Sequence, residues 1–226
     1  MNIFYLDSTQ HVCAQMHNDR HVVKMIVEYA QLLSTAHRVL DGEERVVSKW
    51  VYSKKDKTWK IKDNFKHMHL NGDVYDEFGV LEPKNRFTDR YQCPFYLTAH
   101  IGHPCAVWVR ETSENYSWLS VLLMELCWEF THRRGTLHGT QIDGIVANLL
   151  SLPKNIPEGS LTTPPQCFGE YQEICEVEND PIEGYRKYYN KAKQFDKAGR
   201  PMNVWTNREV PEWFTMEKVN EETCSY

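Results

Sequence analysis

His17, His21, Lys24 and Glu28 follow one another at spacings of four, three and four in the stretch M-H-N-D-R-H-V-V-K-M-I-V-E, Met16 to Glu28. Two imidazoles, an ammonium and a carboxylate held together can shift one another's proton affinities. General acid-base chemistry and amine nucleophiles both need such shifts. At about 100° per residue these four, with Gln31 and Thr35, fall within a band roughly 80° wide on a helix. Apolar residues from Val22 to Ala36 occupy nearly all the remaining surface. A surface helix has the opposite proportions, so the pattern predicts a mostly buried helix whose polar stripe faces a cleft.

Three uses of the stripe are open. It is one solvated edge carrying a Lys24–Glu28 pair worth ~0.2–0.5 kcal/mol. It is a catalytic wall of Lys24, His21, Glu28 and His17. Or His17 and His21 share a metal ion. No H-E-x-x-H motif and no third ligand accompany the two histidines, so no metal is assigned.

Start and stop signals outline the elements that must carry these side chains. Residues 2–6 are apolar and suit a buried strand or extended lead-in. Asp7-Ser8-Thr9 offers N-cap chemistry to a helix over 12–40, and Gly42 closes it. Residues 46–62 mix β-branched and aromatic residues around a polar centre at Lys54 to Lys57, which predicts a hairpin. Residues 63–102 read as loop with short elements. Pro104 suits a first helical position, giving a short helix over 105–111. A long helix runs from Ser113 to Arg133, with arginines in its last turn and Gly135 beyond. Prolines and glycines over 151–180 predict a wrapping loop, after which Asp180-Pro181 caps a further helix. The stretch N-V-W-T-N-R-E-V-P-E-W-F is too rich in tryptophan for a disordered tail and is expected to dock. The expected fold class is mainly α: a single compact helical domain over 1–226 with a small β-hairpin and an irregular C-terminal wrap.

With 226 residues, 41% hydrophobic and 25% charged, the chain can bury one sizeable core. No apolar run approaches the roughly 20 residues of a membrane span, so no membrane partner is expected. The opening M-N-I-F-Y-L-D lacks the features of a secretory signal, which points to a cytoplasmic, intracellular protein. Cys13, Cys93, Cys105, Cys127, Cys167, Cys175 and Cys224 are odd in number and form no C-x-x-C pair, and read as reduced thiols. A formal net charge of -5 exerts no global pull on nucleic acid, so any such binding rests on local patches.

Several patches qualify. Lys54 and Lys55, with Lys49, Lys57 and Lys60, give the predicted hairpin its basic character and make it a candidate for phosphate contact. Arg110 and Asn115 bracket the start of the long helix, where backbone amides attract anions, although an arginine capping a neighbouring helix fits equally. Arg134 and His138, with Arg133, form a basic cluster that also suits a helix C-terminus. Tyr188 and Tyr189, with Tyr185, interleave with Arg186, Lys187 and Lys191 as on nucleic-acid surfaces, or pack on the core. His103 is a candidate imidazole or a loop residue fixing a turn. Tyr116, Leu119, Leu123, Leu126, Cys127 and Phe130 follow helical spacing and are expected in the core.

Three segments together resemble the pyrimidine-dimer DNA glycosylases of the phage endonuclease V type. They are A-Q-M-H-N-D-R-H-V-V-K-M, the run H-P-C-A-V-W-V-R-E-T-S-E-N-Y-S-W-L-S-V-L-L-M-E-L-C-W-E-F-T-H-R-R-G, and Y-R-K-Y-Y-N-K-A. The resemblance extends to uncharacterised proteins of phages and large DNA viruses. It implies a nearly all-helical fold, double-stranded DNA as partner and excision of a damaged or modified pyrimidine without a cofactor. It further implies attack by an N-terminal α-amine to form an imine, assisted by a glutamate on the first helix. The chain departs from that pattern twice. Asn2 follows Met1, so a free threonine-like amine is not expected, and Lys24 stands where the resemblance implies the glutamate. Either Lys24 supplies the amine, with His21 or Glu28 as acid-base partner, or the scaffold has lost this chemistry. The alternatives are a nucleotide-processing hydrolase built on His17 and His21 and a non-enzymatic viral accessory binding protein. Oligomeric state is left open.

Overall fold

A computed structural model describes residues 2–82, 93–196 and 198–215. The lead-in Ile3 to Leu6 is extended and buried, threading through the centre of the molecule rather than along its surface. Helix α1 (Gln10–Met16) follows, and then α2 (Asp19–Asp41). The single helix expected over 12–40 is therefore two. His17 and Asn18 leave helical geometry at ψ 135° and 164°, and the Asn18 side chain accepts the His21 amide at 2.9 Å, starting a second helix with its own N-cap. Gly42 ends α2 with φ -92° rather than in the left-handed region. It is glycine because a Cβ there would sit 2.3 Å from the Arg38 carbonyl oxygen.

Strands β1 (Glu43–Ser53) and β2 (Thr58–His69) form an antiparallel hairpin, longer at its base than the 46–62 expected. Its turn falls at Lys54 to Lys57, and Lys57 takes φ 53°. Leu81 bridges to the outer edge of β1 at the irregularity between Val47 and Lys49, with its amide on the Ser48 carbonyl. Arg38 fastens the hairpin base to α2. Its fully buried guanidinium donates to the carbonyls of Met68 and Tyr96 and grips Asp73 through both oxygens at 2.7 and 2.9 Å.

Helix α3 (Pro104–Val109) starts at Pro104 as expected. Helix α4 (Ser113–Arg134) is capped by the Thr112 hydroxyl and closed by Gly135 at φ 70°. Its buried Leu119, Leu122, Leu123 and Leu126 each contribute about 1.5–3 kcal/mol of apolar burial. It packs on α1 and α2, with α3 against both α2 and α4. Two short helices, α5 (Gly139–Ile142) and α6 (Ile145–Asn148), precede the wrapping loop, which contains a 3-10 turn at Gly169–Tyr171 and the one-turn α7 (Gln172–Cys175). Helix α8 (Pro181–Ala192) has the expected Asp180 cap, with its side chain accepting the Glu183 amide.

The aromatic stretch after α8 docks as its composition requires. Trp205 is buried and donates its indole N–H to the Met16 carbonyl, and the Trp213 indole reaches the Met16 sulfur. One hydrophobic cluster joins the lead-in, both N-terminal helices, α3, α4, α8 and this stretch. The chain is thus mainly α, one compact domain with a small hairpin. Among the described residues no helix is long and apolar enough to cross a membrane. Cys13, Cys93, Cys105, Cys127, Cys167 and Cys175 are free thiols; Cys224 lies outside the described residues, as does Met1.

Candidate functional site

The first turns of α2, the lead-in, the loop around Phe168 and the end of α8 enclose a cleft of about 980 Å³. His21, Lys24 and Glu28 of the polar stripe line it, and so do His103 and Tyr188. Helical spacing puts the first three on one face. Extended Phe4 supplies the opposite support, stacking on His21 at 4.5 Å between ring centroids and lying nearly parallel to Tyr188 at 6.2 Å. Phe168 tilts against Tyr188 at 4.9 Å, and Tyr171 and Phe195 complete the aromatic lining.

The stripe divides into parts with different environments. Lys24, largely exposed, pairs with the more covered Glu28 at 3.0 Å. His21 is buried and hydrogen-bonded through Nδ1 to the Tyr189 hydroxyl at 2.5 Å. Burial, followed by the charges of His17, Lys24 and Lys193, holds its imidazole well below the usual histidine range, so it is neutral at physiological pH. His17 lies behind it, outside the cleft. Its Nδ1 donates to the Cys13 carbonyl at 2.7 Å and its Nε2 faces the Tyr29 hydroxyl at 3.2 Å, while burial lowers its pKa to about 4. Both ring nitrogens are engaged and the two histidine rings stand 6.5 Å apart, so His17 and His21 do not form the metal pair considered from their spacing. The far end of the stripe is covered: the Thr35 hydroxyl is buried against the Gln31 carbonyl and the Ala99 amide.

Other residues singled out from the sequence lie elsewhere. Asn115 is fully buried and holds Trp108 and Thr162 through its amide, which leaves no group for a phosphate. Arg110 spends its guanidinium on the carbonyls of Ile101 and Ala106, the capping alternative. Tyr189 is fully buried and meets the site from behind, through His21 and the Phe4 ring. Arg133 is buried between Asp19 and Glu129 rather than forming a surface cluster, and Arg134 is half exposed beyond it. His138 caps α5 and sits edge-on to Phe130, away from the cleft. Lys54 and Lys55 are exposed at the hairpin turn, also outside the cleft.

The cleft contains residues the sequence reading passed over. Arg20 reaches into it and pairs with Asp196. Lys193, just past α8, lies with its ammonium 4.5 Å from the Tyr188 ring centroid. Burial first, and the neighbouring Lys24 charge second, lower its pKa from the ordinary lysine value, with Glu28 and Glu170 opposing. The signal was available: Lys193 stands four residues after Tyr189, so it continues the aromatic face of that helix toward the stripe.

Among the described residues two groups of side chains have metal-ligand chemistry. His67, His69 and Asp73 converge at the hairpin base, but Asp73 is gripped by the buried Arg38 guanidinium, whose charge already occupies the cation's place. His103, Cys105 and Cys167 converge on the wall of the cleft. No protein-family model, curated protein or solved structure matches the chain.

Proposed function

We propose that the cleft excises a modified or damaged pyrimidine from double-stranded DNA by attack of a lysine amine on the sugar. The supporting observation is a partly desolvated amine, Lys193, set beside a second cation and a carboxylate in an aromatic-walled cleft wide enough for a base. Desolvation and a neighbouring positive charge are the two means by which a lysine is made nucleophilic. A base turned out of the duplex would be received in the cleft against the aromatic wall that Phe4, Tyr188 and Phe168 form together.

This reading moves the amine from Lys24 to Lys193. Lys24 is tied to Glu28 at 3.0 Å and open to water, which suits it to hold positive charge beside the nucleophile. The Lys193 amine attacks C1′ and the bond from C1′ to the base breaks. The departing base takes up a proton and the new C1′ ammonium loses one; the C1′–O4′ bond then breaks, O4′ takes up a proton, and the protonated imine remains. Glu28 is the group placed to carry those protons, and neutral His21 offers a hydrogen bond to the base. No cofactor enters this scheme.

Borohydride trapping on a duplex carrying a modified pyrimidine tests it. Wild type is expected to give a covalent adduct, Lys193→Ala none, and Lys24→Ala a reduced yield whose optimum moves to higher pH as Lys193 loses its cationic neighbour. Absence of both adduct and alkali-labile strand breaks in the wild type would end this reading.

A further inference from the structure

The geometry points to a zinc site on the cleft wall, formed by His103, Cys105 and Cys167, with its fourth position open to the cleft. One ligand atom from each residue lies within 4.8 Å of the other two. Tetrahedral zinc, with Zn–S near 2.3 Å and Zn–N near 2.0 Å, requires donors about 3.5–3.8 Å apart. Contractions of up to about 1.3 Å therefore complete the arrangement. Two elements remote in sequence meet here: the capping turn of α3 carries His103 and Cys105, and the wrapping loop carries Cys167. The loop is pinned where the ligand leaves it, because the Asn2 side-chain amide donates to the Cys167 carbonyl at 2.6 Å. Such support behind a ligand orients it for the metal.

Charge and access agree. Two thiolates neutralise one Zn²⁺, so the filled site adds no net charge to the protein interior, and the two thiol protons leave to solvent. His103 Nδ1 now accepts the Cys105 amide at a long 3.2 Å. Ligation gives up that contact, through Nδ1 directly or through Nε2 by moving the ring proton to Nδ1. Cys105 is fully buried behind the site, whereas His103 and Cys167 line the cleft. The vacant coordination position consequently faces the cleft, the pattern of a zinc ion with three protein ligands and one exchangeable water. A disulfide between the two thiols would use neither His103 nor the opening.

This assignment is independent of the lysine mechanism, and its test reads the metal rather than activity. The full chain, prepared reduced and metal-free, is titrated with Co²⁺ and then challenged with Zn²⁺. One equivalent is expected to produce a thiolate-to-cobalt charge-transfer band and tetrahedral visible bands, both erased by Zn²⁺. Cys167 is only partly buried and His103→Ser retains a capping hydroxyl, so both variants are expected to fold, which circular dichroism checks before titration. Each is expected to lose Co²⁺ affinity by more than ~100-fold. Cys175→Ser, remote from the cluster, is expected to bind as wild type. Failure of folded wild type to bind, an unchanged band in Cys167→Ser, or a Cys105–Cys167 disulfide in non-reduced peptide maps overturns the assignment.

Discussion

Asp19→Asn changes one oxygen to an amide and removes one charge, yet the structure makes it a severe substitution. The Asp19 carboxylate accepts from Arg133 at 2.9 Å and from the Thr206 amide and hydroxyl at 3.0 and 2.6 Å, while its own amide donates to the Val204 carbonyl. Its side chain is only 10% exposed and that of Arg133 only 1%, so water does not screen the pair. Burial pushes the carboxyl pKa up, but the Thr206 and Arg133 contacts together outweigh it and hold the pKa below the ordinary value. Removing one partner of a buried pair costs about 3–5 kcal/mol. Arg133 keeps Glu129 at 2.6 Å, which places the expected loss at the low end, about 3 kcal/mol.

With a urea slope of about 3 kcal/mol/M for a chain of this size, the midpoint should fall by about 1 M at neutral pH. The loss should be local as well as global, because the stretch fastened by Asp19 continues from the cleft wall at Phe195, Asp196 and Met202. Limited proteolysis is expected to cut the variant around 203–208 under conditions where wild type resists. The sign of the pH effect follows from the depressed pKa. The stabilisation is fully present above the unfolded value near 3.9 and is lost as pH falls through the lower folded value. Wild type and variant should therefore converge in acid. A midpoint shift under about 0.3 M at neutral pH, with the slope unchanged, would refute the argument.

Three further outcomes are expected. Between pH about 6.5 and 4 the unfolded chain protonates His17 and His21 while the fold keeps both neutral, so stability should fall with acidification by up to ~2.7 kcal/mol per pH unit; His17→Gln should flatten that slope in urea titrations. Asn115→Ala should cost about 2–3 kcal/mol by stranding the Trp108 carbonyl and the Thr162 amide, and leave the salt dependence of the proposed duplex binding unchanged in filter binding. Lys54→Glu with Lys55→Glu should leave stability within about 0.5 kcal/mol of wild type and lower the salt slope of the proposed duplex binding by up to ~2; an unchanged slope removes the hairpin turn from that proposal.

Local chemistry was the part of this molecule most open to reading. Thr112 to Gly135 carries its own cap, apolar spacing and left-handed stop, so α4 was legible, as were the Lys54 to Lys57 turn and the docked tryptophans. The break at His17-Asn18 escaped because Asn18 fits a helical pattern as well as it fits a cap, and only the folded chain shows its oxygen on the His21 amide. Within the stripe, spacing located His21, Lys24 and Glu28 on one wall of the cleft but could not distinguish His17, whose neighbours Tyr29 and Cys13 seal it from the cleft. Phe168 and Cys167 reach the site across more than a hundred residues of chain, and no periodicity encodes such a meeting; for Lys193 the spacing from Tyr189 gives the helix face but not the partner it meets.

The buried lead-in sets a schedule for biosynthesis. Ile3 to Leu6 precede in sequence the elements that bury them, and the last part of their cover is made by Asn2 on Cys167, by Phe4 against Tyr185, Tyr188 and Tyr189, and by Arg186 on the Leu6 carbonyl. At about 5–20 residues per second, those partners follow roughly 10–40 s later. Throughout that interval the apolar lead-in has its contacts to α1, α2 and α4 but lacks the cover from α8 and the wrapping loop, and premature termination before α8 leaves it so. Truncated products of this gene should accordingly be substrates for chaperones and proteases rather than partly working proteins.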